Sequence, residues 1–152
     1  MTVVDTNVIS RFLHREARSK YPIEHGFVEG LIQAGELAVS YVTHFELRRG
    51  IEELVLRGEG RRRLVGLEKL IERVEVLGLD VAGGRGWLLA ARLWARGRAV
   101  KPAINFSEAD LLIATTAAIH GRPFATSERR LAENLRQIGF PSDVWVVPVS
   151  TE

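Results

Sequence analysis

The stretch Val3-Val4-Asp5-Thr6-Asn7-Val8-Ile9 decides the reading of this chain, because it sets a carboxylate between two apolar pairs. A strand with one wet face alternates apolar and polar side chains, and a strand buried on both faces excludes charge. An unpaired carboxylate in such a place costs several kcal/mol or stays protonated. Asp5 therefore needs partners from elsewhere in the chain.

Working outward, Met1–Val4 reads as a short buried strand. Residues 21–36 carry Ile23, Phe27, Leu31 and Ala34 at helical spacing, with Gly35 as the stop. Leu37–Val42 is a second strand. Thr43–Gly58 is a helix with Phe45, Leu47, Ile51, Leu54 and Val55 on its apolar side, and residues 61–77 repeat the helical period before a short strand near Val74–Leu77. Residues 84–99 form a helix with Leu88, Ala91 and Ala95 along one side and Leu89, Leu93 and Trp94 beside it. Val100–Phe106 is the longest irregular stretch, Ser107–Gly121 a helix closed by glycine, 123–126 a strand, 127–139 a helix and 143–149 the last strand. Strands alternating with helices predict an α/β domain with a mostly parallel sheet. The two successive helices within 43–73 break the alternation and predict a protruding helical hairpin.

The bulk numbers fit that picture. At 152 residues, 46% hydrophobic and 26% charged, the chain is expected to form one globular domain spanning residues 1–152. It has no cysteine, which excludes disulfides, thiolate metal sites and cysteine nucleophiles and fits a reducing compartment. No apolar run approaches the ~20 residues of a membrane span, so a cytoplasmic location and no membrane partner are expected. Only Lys20, Lys69 and Lys101 among the 21 basic residues are lysine. The net charge of +2 permits a polyanionic partner without demanding one, and guanidinium forks suit phosphate. The arginine-rich composition fits a thermophile or a GC-rich genome equally well.

Aspartate is scarce: Asp5, Asp80, Asp110 and Asp143 are all there are. In open α/β sheets sites form at the carboxyl ends of strands. Asp5 ends the first strand, Glu46 falls in the first turn of the helix after the second, Asp110 in the first turn after the long loop, and Glu128 two residues beyond the strand ending at Thr126. Four carboxylates from four segments thus meet at one sheet edge. Neighbouring carboxylates raise one another's pKa, and a hard divalent cation, Mg²⁺ or Mn²⁺, relieves the cost. Sites of this composition activate water for displacement at phosphorus. Each acid also has a structural reading. Thr43-x-x-Glu46 and Ser107-x-x-Asp110 fit the capping box, Asp5 fits a helix N-cap, and Glu128 fits a favourable first-turn charge. Capping leaves their convergence unexplained. Gly50 after Glu46, and Ala114, Ala117 and Ala118 after Asp110, predict helix faces able to approach the sheet closely.

Other chemistries are poorly served. His14, His25, His44 and His120 lack zinc spacing and are expected to be surface or locally bonded residues. The glycines at 83–86 precede no Gly-Lys-Ser/Thr, and no Gly-x-Ser-x-Gly is present. A phosphoacceptor signalling domain would need paired early acids and a late lysine, whereas Asn7 follows Asp5 and Lys101 is the last lysine.

In combination, Val-Val-Asp5-Thr6-Asn7, Thr43-His-Phe-Glu46-Leu-Arg-Arg-Gly50, Asp110-Leu-Leu-Ile-Ala-Thr-Thr-Ala and Thr126-Ser-Glu128 resemble PIN-domain ribonucleases, above all the VapC toxins of prokaryotic toxin–antitoxin pairs. The resemblance implies a PIN-like three-layer fold of about five mostly parallel strands flanked by helices. It also implies an endoribonuclease, dependent on Mg²⁺ or Mn²⁺, in which a metal-bound water attacks an RNA phosphodiester. It gives Asp5, Glu46 and Asp110 as catalytic metal ligands and Thr6, Asn7, Thr43 and Thr126 as polar pocket residues. The fourth acid departs from the family pattern: Glu128 takes its first acidic position, while Leu131 stands at the second, so Glu128 or Glu108 is left to supply that ligand. An alternative that follows from Leu131 is a PIN-like module that binds RNA or assembles without cleaving. Arg11, Arg15, Arg48 and Arg49 are candidates for holding the RNA backbone, against the simpler reading of solvated helix faces, and the run Arg61–Arg63 is a further candidate for which capping and solubilising the hairpin is the favoured reading. A cognate antitoxin and a homodimer are the implied protein partners.

Overall fold

The computed structural model describes residues 1–151. Five strands, β1 (Thr2–Val4), β2 (Leu37–Ser40), β3 (Glu75–Leu77), β4 (Phe124–Thr126) and β5 (Val144–Val146), form one sheet in the order β3-β2-β1-β4-β5. Every neighbouring pair is parallel, which makes β1 the central strand. The first strand pairs Val3 with Ala38 on one side and with Phe124 on the other.

Among the described residues, eight helices accompany the strands: α1 (Thr6–Phe12), α2 (Ala17–Lys20), α3 (Pro22–Ala34), α4 (Tyr41–Leu56), α5 (Arg61–Arg73), α6 (Arg85–Ala99), α7 (Glu108–Ile119) and α8 (Arg129–Gln137). Strand side chains alternate between two apolar layers. Val3, Ala38, Leu77 and Phe124 pack with Leu93 of α6, Leu111, Ala114 and Ala117 of α7, and Leu135 of α8. Val4, Leu37, Val39 and Ala125 face the opposite way, against Val8 and Ile9 of α1, Val28 of α3 and Leu70 of α5. The three-layer PIN-like α/β fold expected from the motifs is therefore present, with the sheet sandwiched between two helical layers. The pair α4–α5 forms the expected helical hairpin, with Leu56 at its tip 88% exposed. Its turn depends on Gly60, at φ 77°, where a Cβ would come within 2.7 Å of the Leu54 Cβ.

Several local expectations give way. The short helix α2 has no periodic signature in the sequence. Helix α4 starts at Tyr41, capped by the Ser40 hydroxyl on the Val42 N–H, so Glu46 lies in the second turn rather than the first. Gly50 is exposed with open space around it, so it provides no close approach. Along α3 the buried positions are Glu24 and Val28, while Ile23 is exposed. Along α6 they are Gly86, Ala90, Leu93 and Gly97, and the predicted side of Leu88, Ala91 and Ala95 faces outward. The two glycines explain that rotation, because a Cβ at Gly86 would sit 2.6 Å from the Leu79 carbonyl oxygen and one at Gly97 would sit 2.8 Å from the Phe106 ring.

Candidate metal centre

The central strand delivers Asp5 to the carboxyl edge of the sheet. Its N–H still donates to the Ala125 carbonyl oxygen at 2.9 Å, so the residue belongs to the ladder while its side chain leaves it. Asp5 is also the N-cap of α1. One carboxylate oxygen accepts from the Thr6 N–H at 2.7 Å and the other from the Thr126 hydroxyl at 2.8 Å. The residue is 1% exposed, and among the described residues no cation lies within ion-pair distance of it. Burial pushes its pKa up to about 6, against the pull of the hydrogen bonds from Thr126 and Thr6, and the charges of Glu128 and Glu46 push the same way as burial.

Asp110 arrives from α7. Ser107 caps that helix through a long 3.4 Å bond to the Asp110 N–H, as the capping box requires. The reciprocal half of the box is missing, because the Asp110 carboxylate accepts no hydrogen bond among the described residues. Burial, then the charges of Asp5, Glu128 and Glu46, raise its pKa to about 6. Glu128 is the N-cap residue of α8 but caps nothing with its side chain. Its N–H donates to the Thr126 hydroxyl at 3.1 Å and its carboxylate accepts from the Asn7 amide at 2.9 Å. Thr126 therefore ties two acids together, and Asn7 aims the second.

Asp5, Asp110 and Glu128 each offer a carboxylate oxygen, and these atoms lie within 4.8 Å of one another. Glu46 stands one step back. It accepts from the Thr6 hydroxyl at 2.8 Å, and the same hydroxyl lies 3.0 Å from that of Thr43, which is buried at the inner face of α4. A threonine hydroxyl has one proton to give. With the Thr6 proton on the carboxylate, Glu46 is held at the rim of the trio rather than inside it. The capping box proposed for Thr43 and Glu46 does not form, since Ser40 caps α4 instead. Glu108 is exposed and lines a different surface with Phe45 and Trp87, so it does not substitute for a fourth acid. Leu131 is a core residue, 7% exposed, at the wall of a groove that passes Asp110 and Glu128.

All donors in the cluster are carboxylate oxygens, two of the three acids have a raised pKa, and the Asp110 carboxylate is free of protein hydrogen bonds. This set fits a hard divalent cation, which neutralises the mutual repulsion, and offers nothing to a soft metal. The arginine candidates divide. Arg11 is bound to the fully buried Glu24 at 2.6 Å, and Arg48 to Glu52 at 2.8 Å and Glu68 at 3.6 Å. Arg49 stacks over Phe45, while Arg15 and the run Arg61–Arg63 are exposed. His14 and His120 are locally bonded, as expected, to the Glu16 N–H and to the Gly78 carbonyl.

A three-layer sheet with central strand β1, ending in an acid trio fed by the loop after β1 and the starts of α7 and α8, defines a class, and the comparison with known families agrees with it. The chain belongs to the PIN-domain family, whose model matches residues 2–135. No curated protein matches it by sequence. Among solved structures, it superposes on a chain of VapBC2 from Rickettsia felis, bound to a DNA fragment from their promoter, with a TM-score of 0.74 at 14% identity over 98% of both chains. A chain of DNA-bound VapBC from Salmonella typhimurium gives 0.71 at 22% identity, over 94% of this chain and 95% of that one. A member of the VapBC family of toxin–antitoxin systems, VapBC-5 from Mycobacterium tuberculosis, gives 0.55 at 25% identity, over 97% and 98%. The likeness to VapC toxins read from the motifs is thus matched by the structures this fold resembles.

Proposed function

We propose that residues 1–152 act as one PIN domain, a divalent-metal-dependent endoribonuclease that serves as the toxin of a VapBC-type pair. The observation that carries this reading is the acid trio, three carboxylates from three separate segments within 4.8 Å, with two pKa values near 6. A phosphodiester is itself anionic and is repelled by such a cluster until the charge is neutralised. Asp5, Asp110 and Glu128 would hold Mg²⁺ or Mn²⁺, with Glu46 at the rim. When bound, such a cation would supply that neutralisation and would lower the pKa of a water for attack at phosphorus. The chain's own share is positioning. Thr126 fixes Asp5 and the backbone of Glu128, Asn7 orients the Glu128 carboxylate, and Thr6 holds Glu46. Leu131 keeps the groove wall apolar where a further acid stands in the family pattern, which favours one cation over two.

The test is RNA cleavage by purified protein with Mg²⁺ or Mn²⁺, its loss in EDTA, and its loss in Asp5→Asn with the domain still folded. Wild-type cleavage by Asp5→Asn sinks the assignment. RNA binding without cleavage under every metal condition supports the alternative, a PIN-like binding or assembly module.

Two partners belong to the same reading. The named structural relatives are VapBC complexes, which supports an antitoxin as partner. Tyr41 and Phe45 of α4 and Trp87 of α6 are exposed and line one surface with Ala109 and Leu112 of α7. Clustered exposure on this scale marks an interface rather than scattered surface apolars, and a second copy is the occupant this reading assigns. Sedimentation of the wild type as a dimer, and of Phe45→Glu as a monomer, checks that assignment. Among the described residues, no helix is long and apolar enough to cross a membrane.

A further inference from the structure

We infer that the RNA backbone is held in the cleft between α1–α2 and the tip of the α4–α5 hairpin, by Arg15, Lys20, Arg62 and Arg63. The inference rests on the ribonuclease reading and names the path of its substrate. Two segments far apart in sequence, the end of α1 with α2 and the start of α5, place these four cations around one open cleft. A second groove shares Leu13, His14, Leu54 and Arg63 with that cleft and runs from it to Glu46 at the rim of the acid trio. The channel thus has an apolar floor, a cationic outer end and the site at its inner end, which suits a chain of phosphates with bases lying along apolar side chains.

The cations here are uncommitted, and several elsewhere are not. Arg11, Arg48 and Arg57 are each within ion-pair distance of a glutamate, whereas Arg15, Lys20, Arg62 and Arg63 are exposed with no carboxylate within that distance among the described residues. Glu16 and Glu59 share the rim, leaving an excess of two positive charges. Folding does not account for the Arg61–Arg63 run. These residues occupy the first turn of α5, where the helix dipole repels cations, behind an N-cap glycine and with no acid in that turn. The groove beyond the trio offers a single cation, Arg130, with Asn105, Asn134 and Gln137. The phosphate-holding work therefore falls to the α1–α5 side.

The test measures binding of a labelled single-stranded RNA to the Asp5→Asn protein in Mg²⁺, by anisotropy across a range of salt concentrations. In that background Arg15→Ala/Lys20→Ala/Arg62→Ala/Arg63→Ala is expected to weaken binding about tenfold or more at 0.1 M salt. The slope of log Kd against log salt should fall by roughly 2–3, about 0.7 for each phosphate no longer held. Arg92→Ala/Arg96→Ala, on the exposed side of α6, should leave both unchanged. The Tm of the cleft variant should change little, since the Arg62 and Arg63 changes remove charge from the unfavourable end of α5 while the Lys20 change removes it from the favourable end of α2. An unchanged Kd and slope in the cleft variant overturn the proposal. So does a loss of affinity for poly-glutamate with RNA binding intact, which makes the cleft a dock for acidic protein. Wild-type protein that never cleaves RNA, with the cleft variant losing RNA binding, removes the ribonuclease reading and leaves the cleft standing.

Discussion

Two buried carboxylates sit near opposite ends of α1, and the protein treats them in opposite ways. Glu24, reached by the last turn of α1 and 0% exposed, is fully answered. Arg11 pairs with one oxygen at 2.6 Å, and the Ser150 hydroxyl and N–H reach the other at 2.6 and 3.0 Å. Burial alone would push its carboxyl up, but the bonds from Ser150 and Arg11 outweigh burial and hold it below its usual value. Asp5, at the first turn, has two hydrogen bonds, no cation, and two further acids within reach. Its pKa moves the other way, to about 6. Burial is common to both. What separates them is the charge of the neighbours: one acid is completed by the fold and locks the C-terminal segment against α1 and α3, and the other is left among like charges without a counter-charge.

The contrast breaks most visibly in activity. Asp5→Asn should cost on the order of 10³-fold in metal-dependent cleavage while the domain stays folded. It should also abolish the rise in Tm that Mg²⁺ gives the wild type by mass action. Glu24→Gln should do the reverse. Removing the counter-charge from Arg11 is expected to cost about 3 kcal/mol, or roughly 6–12 °C in Tm, with the Mg²⁺-induced rise retained. Thermal melts with and without Mg²⁺ on both variants decide the matter. A Glu24→Gln protein that melts like wild type would mean that the Arg11 pair contributes nothing.

Asp110→Asn sharpens the comparison at smaller scale. Removing one charge from the trio should raise the metal-free Tm by about 4–8 °C, corresponding to about 2 kcal/mol. A fall of several degrees would instead restore the capping reading, in which the carboxylate serves the helix end.

Much of this architecture was open to inspection in the chain itself. Val3-Val4, Leu37–Ser40 and Phe124–Thr126 are apolar runs bounded by polar residues, and Asp5, Asp110 and Glu128 follow strands or open helices where a parallel sheet places its sites. Glu24 was not legible, because both partners that complete it, Arg11 and Ser150, are remote or on another helix, and its own helix showed a competing apolar side. The rotation of α6 was hidden for a related reason. Periodicity counts apolar side chains, and the residues that set the packing, Gly86 and Gly97, have none. The order of the acids also changed. Glu128, which the Leu131 departure weakened, stands in the trio, while Glu46, supported by a full motif match, stands behind Thr6. Helix α4 starts at Tyr41, which places Glu46 in its second turn, where it accepts from the Thr6 hydroxyl.

The smallest effect separates the two acids by sign alone. Asp5 and Asp110 have folded pKa values near 6 against 3.8 for the free side chain, so between these values the folded protein binds more protons than the unfolded chain. Stability of the metal-free protein must then rise as pH falls toward 5.5 and decline as pH rises through 6. The mutual repulsion of the two acids means that the first proton relieves part of the need for the second. The gain between pH 7 and 5.5 should therefore be about 1 kcal/mol, or about 2–4 °C. Glu24 runs the other way: its stabilisation is intact above its usual value of 4.5 and is lost only as pH falls further, through its lowered folded value. Metal-free melts should accordingly pass through a maximum at about pH 4, between the ordinary aspartate and glutamate values of 3.8 and 4.5, with the alkaline limb set by the candidate metal centre and the acid limb including Glu24. Saturating Mg²⁺ should flatten the alkaline limb, since the cation replaces the protons that stabilise the trio. Glu24→Gln should soften only the acid limb. An alkaline limb that Mg²⁺ leaves unchanged would detach the raised pKa values from cation binding and return Asp5 to the class of buried acids that the fold merely tolerates.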